Sequence, residues 1–352
     1  MTAKTMLPAA HHRFVGEVKR TNTLPGGAYR GYGVAQANFA IETAVTAAAA
    51  RLDLDPVLVR LRNAPARLAH CLRVGSAEFG WPRRAERRGE TRVGHGVATA
   101  VKATVTGEES EFSTAWVELD GDRATLFTGT CDSGTGSSTV LAQVVAEELG
   151  LPVESVRVLE GDTATTPADV GSAAQRSVLL GAGAARDAAR AARRAPGERV
   201  TFRAGRAPAS FCACFVTVAV DVELGVVAVE ECLVVTDCGR VLNPLGAAGQ
   251  VQGGVVQGIG LALIDRCPST GVTTIQEHGV PLATDVPSVR ALFVGDPAPG
   301  APYGGLGLGE LPIVPVPAAI AGAVADATGV VPTTMPMRPE VLWSALAGTR
   351  GC

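Results

Sequence analysis

Between residues 35 and 52 the apolar side chains Ile41, Ala44, Val45, Ala48 and Leu52 recur at spacings of three and four, which predicts a helix. Asp55 and Pro56 then read as the N-cap and first residue of a short helix ending near Asn63. From about 64 to 92 no period holds, and this Arg-rich stretch reads as a connector and domain boundary. Residues 113–119 and 123–128 read as strands about an Asp120-Gly121 hairpin turn. An amphipathic helix runs to Leu149, stopped by Gly150, and is followed by a strand near 153–159 and a helix near 173–193.

A polar connector, 196–208, leads into a second hairpin, 211–220 and 226–235, turning at Leu224-Gly225. Asp237-Cys238-Gly239-Arg240, Asn243-Pro244 and a glycine-punctuated segment, 249–263, follow, with closing helices at 317–328 and 339–346. Hairpin, glycine-rich loop and helix thus occur twice in the same order. The pattern predicts an α+β fold of two similar lobes, each of mixed or antiparallel sheet with helices, whose loops face one another across a crevice. The expected division is an N-terminal helical segment with an Arg-bearing loop and a connector, 1–93, a first lobe, 94–195, and a second lobe with a Glu-bearing loop, 209–352.

The 352 residues are 47% hydrophobic and 18% charged, as in a globular chain, and the formal net charge of -3 gives no bias toward nucleic acid or membrane. Lysine occurs only at Lys4, Lys19 and Lys102, which reads as genomic base composition. The first fifteen residues lack the apolar stretch of a signal peptide, so a cytoplasmic protein is expected. Eight cysteines without a Cys-x-x-Cys pair form no zinc or redox signature. Cys212 and Cys214 share one face of a strand and read as buried thiols.

Candidate chemistry lies in the glycine segments. The stretch 304–312, Gly-Gly-Leu-Gly-Leu-Gly-Glu-Leu-Pro, sets one carboxylate, Glu310, behind alternating glycines, which let backbone approach a ligand closely. Far away, Gly26-Gly27-Ala28-Tyr29-Arg30-Gly31-Tyr32-Gly33 frames a single Arg in the same manner. Gly134-Thr135-Gly136-Ser137-Ser138-Thr139 follows a strand and opens a helix. Its N–H groups and hydroxyls either cradle an anionic phosphate or form a tight turn with a serine N-cap. Fragments suggesting a serine protease, His70-Cys71 and Asp132-Ser133-Gly134, are too close in sequence for a barrel and a half and lack the glycine that shapes an oxyanion hole. None of the glycine segments fits the dinucleotide-binding fingerprint.

Together these segments resemble the molybdenum hydroxylases, the xanthine dehydrogenase and aldehyde oxidase family. There a Phe/Tyr-Arg-Gly-Phe/Tyr-Gly segment supplies an active-site Arg, matched by Arg30, and Lys-Gly-Val-Gly-Glu supplies the base, matched by Glu310. The family's Gly-Gln-Gly-Ser-x-Thr resembles 134–139, and its Gly-Ser-x-x-Ser-Arg resembles 171–176. Its Asn-Pro, Gly-Gln-Ile-x-Gly-Gly and Gln-Gly-Ile/Leu-Gly signature is similar to Asn243-Pro244 with 249–260. The resemblance implies a molybdopterin-binding fold and a molybdopterin-type molybdenum cofactor held by Gly134, Thr135, Gly136, Ser137, Thr139, Ser172 and Gln250, with no protein ligand to the metal. It implies Glu310 as catalytic base and Arg30 as the group that orients substrate. The implied oxidoreductase reaction hydroxylates a heterocycle or an aldehyde with oxygen from water, and electrons leave through iron–sulfur and flavin centres on partner chains.

Matches run from about Thr21 onward, but only to the second half of the family's large subunit. Thr135 stands where the family usually has Gln, Gln175 where it has Ser, and Leu306 where it has Lys. The family's first half, with its Phe-Gly-x-Lys segment and a Gln at the metal's oxo group, has no counterpart, so a partner subunit supplying it, or a homo-oligomer, is expected. Two rival readings use the same residues. One is a metal-free isomerase, cyclase or dehydratase acting through Glu310 and Arg30; the other is a non-catalytic scaffold subunit.

Overall fold

The computed structural model describes residue 11 and residues 13–22, 26–104, 111–205, 209–266 and 274–350. Most of the segment read for a signal peptide, and residues 206–208 of the second connector, lie outside them.

Two sheets carry the fold. The larger has five strands in the order β1-β2-β7-β8-β9 and the smaller four in the order β5-β4-β3-β6. In the smaller, β3 (Phe112–Asp120) and β4 (Arg123–Thr128) form the hairpin, β6 (Val200–Arg203) pairs antiparallel with β3, and β5 (Val156–Glu160) pairs parallel with β4. In the larger, β7 (Ala209–Asp221) and β8 (Val226–Asp237) form the hairpin. There β2 (Thr91–Ala103) pairs antiparallel with β7 and β9 (Val289–Phe293) parallel with β8, while β1 (Glu86–Arg88) extends the far edge. The two lobes therefore share one topology: a central hairpin, an antiparallel strand on one side, and a parallel strand on the other, reached through a glycine loop and a helix.

That helix is Ser137–Leu149 in the first lobe and Pro244–Ile259 in the second. A closing helix, Ala182–Ala192 in the first lobe and Val316–Thr328 in the second, then packs on each sheet. The chain does not divide where the sequence suggests. Residues 91–103, of which 94–103 are expected in the first lobe, pair along their whole length with β7, and 200–203, expected in a connector, complete the first sheet. Strand pairing is set by burial of both faces of β2, a long-range effect that local pattern does not carry.

The 64–92 connector contains a helix. With the helices Val34–Arg51 (α1) and Pro56–Asn63 (α2) already expected, Ala66–Phe79 becomes α3, ending on left-handed Gly80. It buries Leu68, Ala69, Cys71, Leu72, Gly75 and Phe79 against the larger sheet. Gly75 is what admits the ring of Phe215, for a Cβ there would lie 2.2 Å from the ring edge. The remaining helices are Ser137–Leu149 (α4), Ala182–Ala192 (α5), Pro244–Ile259 (α6), Ile275–His278 (α7), Val316–Thr328 (α8) and Pro339–Arg350 (α9).

On α1 the apolar stripe read from the sequence is not the face that packs: Ala44, Ala48 and Leu52 are exposed, whereas Asn38, Glu42 and Thr43 are buried. Those polar groups are matched except for Asn38 Oδ1. Arg60 Nε donates to Glu42 Oε2 at 2.6 Å, Thr99 Oγ1 donates to Glu42 Oε1 at 2.6 Å, and Asn38 Nδ2 donates to Val314 O at 3.2 Å. Asp55 caps α2 as expected, accepting from Val57 N and Leu58 N. Cys212 and Cys214 are buried thiols on β7.

Glycines let α8 lie directly on β2. A Cβ at Gly94 would meet Ala323 O at 2.3 Å, and one at Gly96 would meet Ala319 O at 2.0 Å. The stretch 311–328 is long and apolar enough to cross a membrane, yet 83% of it is buried, so its hydropathy is that of a core helix.

Candidate functional site

The loops between the lobes line a crevice of about 680 Å³. Its walls come from 133–140 and 172–178 of the first lobe, from 238–257 and 306–310 of the second, and from the Arg30 loop.

Arg30 sits in a turn in which Gly31, Tyr32 and Gly33 all adopt positive φ. Its guanidinium is almost fully used. Nε donates to Gly309 O at 2.6 Å, one terminal nitrogen donates to Gln257 Oε1 at 3.0 Å, and the other donates to Gln250 O at 3.1 Å and Gln250 Oε1 at 2.8 Å. Four of the five N–H donors of the group are thereby engaged, and one remains. Burial lowers the Arg30 pKa from its ordinary value, while Glu310 and Tyr29 oppose the shift. Arg30 thus ties its own turn to α6 and to the Glu310 loop, and Gln250 extends the tie to the first lobe by donating from Nε2 to Gly134 O at 3.3 Å.

Glu310 lies in the same crevice with Arg30, but its ion-pair partner is Lys102, at the end of β2. Lys102 Nζ is 2.8 Å from Glu310 Oε2, with both side chains largely buried, a close ion pair and not an aligned hydrogen bond. The other oxygen accepts from Ala174 N at 2.9 Å. Sequence reasoning missed Lys102; its only signal was a single lysine near the end of β2.

The glycines before Glu310 serve protein contacts more than ligand approach. A Cβ at Gly304 would lie 2.4 Å from Pro297 Cβ, and one at Gly307 would lie 2.1 Å from Gln175 O; Gly309 alone has room, with Thr135 Cγ2 at 3.7 Å. Leu306, which replaces the family's lysine, is buried and donates its N–H to Cys238 O. The adjoining 238–240 turn is held from the unforeseen α3, where Arg67 grips Asp237 through Nε at 2.8 Å and through a terminal nitrogen at 2.5 Å.

The 132–138 loop takes the tight-turn alternative and not the open anion cradle, with Gly136 and not a serine at the N-cap. The Asp132 carboxylate already occupies the nest: Oδ1 accepts from the N–H groups of Gly134, Thr135 and Gly136, and Oδ2 accepts from that of Ser138. Burial opposes ionisation of Asp132, but these four donors outweigh it and hold its carboxyl below the usual carboxylate range. Gly134, Thr135, Gly136, Ser137, Ser172 and Gln250 do line the crevice. Thr139 does not; it lies in the first turn of α4 and is exposed. The Ser172 hydroxyl is engaged with Cys131 O.

The donor set suits a polar organic group. Ser137 Oγ and Gln175 Nε2 are buried polar atoms without a protein partner, both on crevice-lining residues, and such atoms are costly unless something meets them. Among the described residues no group of three His, Cys, Asp or Glu side chains could hold a metal directly. The residues present therefore fit a cofactor carrying its own polar atoms.

Comparison with known proteins agrees with this geometry. Models of the molybdopterin cofactor-binding domain match residues 3–64 and, in two stretches that together exceed half the chain, 75–201 and 199–287. The chain belongs to the molybdopterin cofactor-binding domain family. Its relatives include a putative xanthine dehydrogenase molybdenum-binding subunit of Escherichia coli (strain K12), 32% identical over 96% of this chain and 56% of that protein. The aldehyde oxidoreductase molybdenum-binding subunit of the same organism is 32% identical over 92% of this chain and 53% of its own. Among solved structures, the aldehyde oxidoreductase from Desulfovibrio gigas superposes with a TM-score of 0.83 at 25% identity, covering 92% of this chain and 42% of that one. The chain spans about half the length of the curated relatives it matches.

Proposed function

We propose that this chain is the base-bearing half of a molybdenum hydroxylase's molybdopterin-binding subunit, and that the assembled enzyme hydroxylates an aldehyde or a nitrogen heterocycle. Oxygen enters from water, and the substrate carbon gives up one hydrogen with two electrons, so that R–H and water become R–OH, two protons and two electrons. The bound cofactor supplies the redox centre that takes those electrons. Gly134, Thr135 and Gly136 shape its wall, and Ser137 Oγ and Gln175 Nε2 meet its polar atoms. Glu310 accepts the proton from the attacking oxygen, a role worth roughly 10²–10⁴ in rate. Arg30 holds the base loop and turns its remaining N–H toward charge that develops on the substrate.

The observation that carries this reading is the bond from Arg30 Nε to Gly309 O, across 279 positions of sequence, which sets the Arg30 guanidinium beside the Glu310 loop in the crevice. The likeness of the chain to molybdenum-binding subunits supports it. That relatives are named as subunits of larger enzymes supports including a partner polypeptide in the proposal.

The test is molybdenum analysis of the purified protein, alone and co-expressed with a polypeptide matching the remainder of the relatives, together with assay against aldehydes and purine-like heterocycles. Stoichiometric molybdenum with turnover that Glu310→Gln abolishes is expected. Turnover that persists without molybdenum would favour the metal-free reading instead.

A further inference from the structure

We propose that Gln175 is the positioning residue for Glu310, a clamp by which the first lobe sets the orientation of a base carried on the second; this rests on the reading of Glu310 as the base. Ala174 and Gln175 both adopt left-handed backbone, with φ of 52° and 59°, a conformation disfavoured for residues that carry a side chain and here taken twice in succession. The consequence is specific. The turn aims the Ala174 N–H at Glu310 Oε1, at 2.9 Å, and aims the Gln175 side chain at the Glu310 backbone. Gln175 Oε1 accepts from both Glu310 N, at 3.1 Å, and Leu311 N, at 2.9 Å.

The approach is so close that only glycine fits at 307, opposite Gln175 O. Immediately after the turn, Arg176 is buried in an ion pair with Asp169 and also donates to Phe112 O, which pins the clamp to the first sheet. Serine, the residue that the resemblance leads one to expect at 175, is two carbon atoms shorter and cannot reach two amides of the base loop. The substitution thus exchanges a short hydroxyl for a side chain that bridges the lobes.

Two substitutions test this. Gln175→Glu keeps an acceptor oxygen at the same reach, and Gln175→Met removes it while keeping bulk; Gln175→Ser serves if the methionine variant does not fold. Amide hydrogen exchange, read by mass spectrometry on the full chain over residues 304–314, needs no activity and so separates this proposal from the functional one. Exchange at Glu310 and Leu311 is expected to accelerate on the order of tenfold in Gln175→Met and to stay near the parent in Gln175→Glu. In the molybdenum-loaded assembly, kcat per bound molybdenum is expected to fall in Gln175→Met with KM little changed; Gln175→Glu, which loses the Nε2 donor facing the cofactor, is compared by exchange alone. Parental exchange in both the methionine and serine variants, or equally accelerated exchange in the methionine and glutamate variants, would overturn the clamp. Accelerated exchange with an undiminished kcat would overturn its positioning role. An assembly without hydroxylase activity at all would count against the proposed function, while the exchange result still decides the clamp.

Discussion

Lys102 and Glu310 form an ion pair, Nζ to Oε2 at 2.8 Å, although one residue ends a strand of the larger sheet and the other lies in the loop before α8. Both side chains are largely buried, so removing either leaves an uncompensated charge. Lys102→Met is expected to cost about 1–3 kcal/mol, as is Glu310→Gln, with the double variant losing less than the sum. Urea unfolding of the four proteins measures the coupling; additive losses would show the pair to be energetically idle. A practical consequence concerns the test of Glu310 as the proposed base: activity lost in Glu310→Gln is interpretable only at a temperature where that variant is fully folded.

Arg30→Lys is expected to behave as a severe change. A planar guanidinium reaches Gly309 O, Gln257 Oε1, Gln250 O and Gln250 Oε1 at once, and an ammonium has neither the fork nor the donor count to do so. Turnover should drop by about tenfold or more, and a crystal structure of the variant should show the Gly309–Glu310 loop displaced. Parental turnover in Arg30→Lys would reduce the residue to a point charge.

Asp132 gives a pH signature. Its folded carboxyl titrates below the unfolded value of about 3.9, so the stability it contributes is present above that value and is lost as pH falls through the folded pKa. Asp132→Ala removes the acceptor of four backbone N–H groups and should cost about 0.5–2 kcal/mol at neutral pH, by analogy with the loss of a helix-capping carboxylate. The difference in melting temperature between parent and variant should shrink below about pH 4. A difference constant down to pH 2 would mean that charge on Asp132 is immaterial.

Two glycines should respond in opposite senses. Gly96→Ala forces a Cβ against the Ala319 carbonyl and should destabilise by about 1–3 kcal/mol or more. Gly249→Ala, on an exposed position of α6 with nothing within 4 Å of the new methyl, should stabilise by about 0.5–1 kcal/mol. Chemical denaturation checks both, and a loss at Gly249 would mean that α6 needs freedom there.

Much of the architecture was legible locally. Period and turn chemistry set both hairpins, the Asp55 cap, the stop at Gly150 and the repeated order of loop and helix, because each depends on neighbours within a few residues. The family signatures likewise marked Arg30, Glu310 and most of the crevice wall. Other features were invisible for one shared reason. The helix Ala66–Phe79 hid among its arginines, and its packing becomes clear only when Phe215 is seen to fill the gap at Gly75.

Partnership across the fold was beyond local pattern altogether. Glycine spacing suggested N–H groups open to a phosphate, but a carboxylate two residues earlier occupies them. Glu310 could be found by motif, yet the cation beside it comes from position 102 and the side chain that accepts from its backbone from position 175. Sequence by itself determined the two hairpins, most of the helices, and where single charges stand among glycines. Only the tertiary structure decided which of those charges meet, because burial makes each polar group depend on a partner that the chain brings from hundreds of residues away.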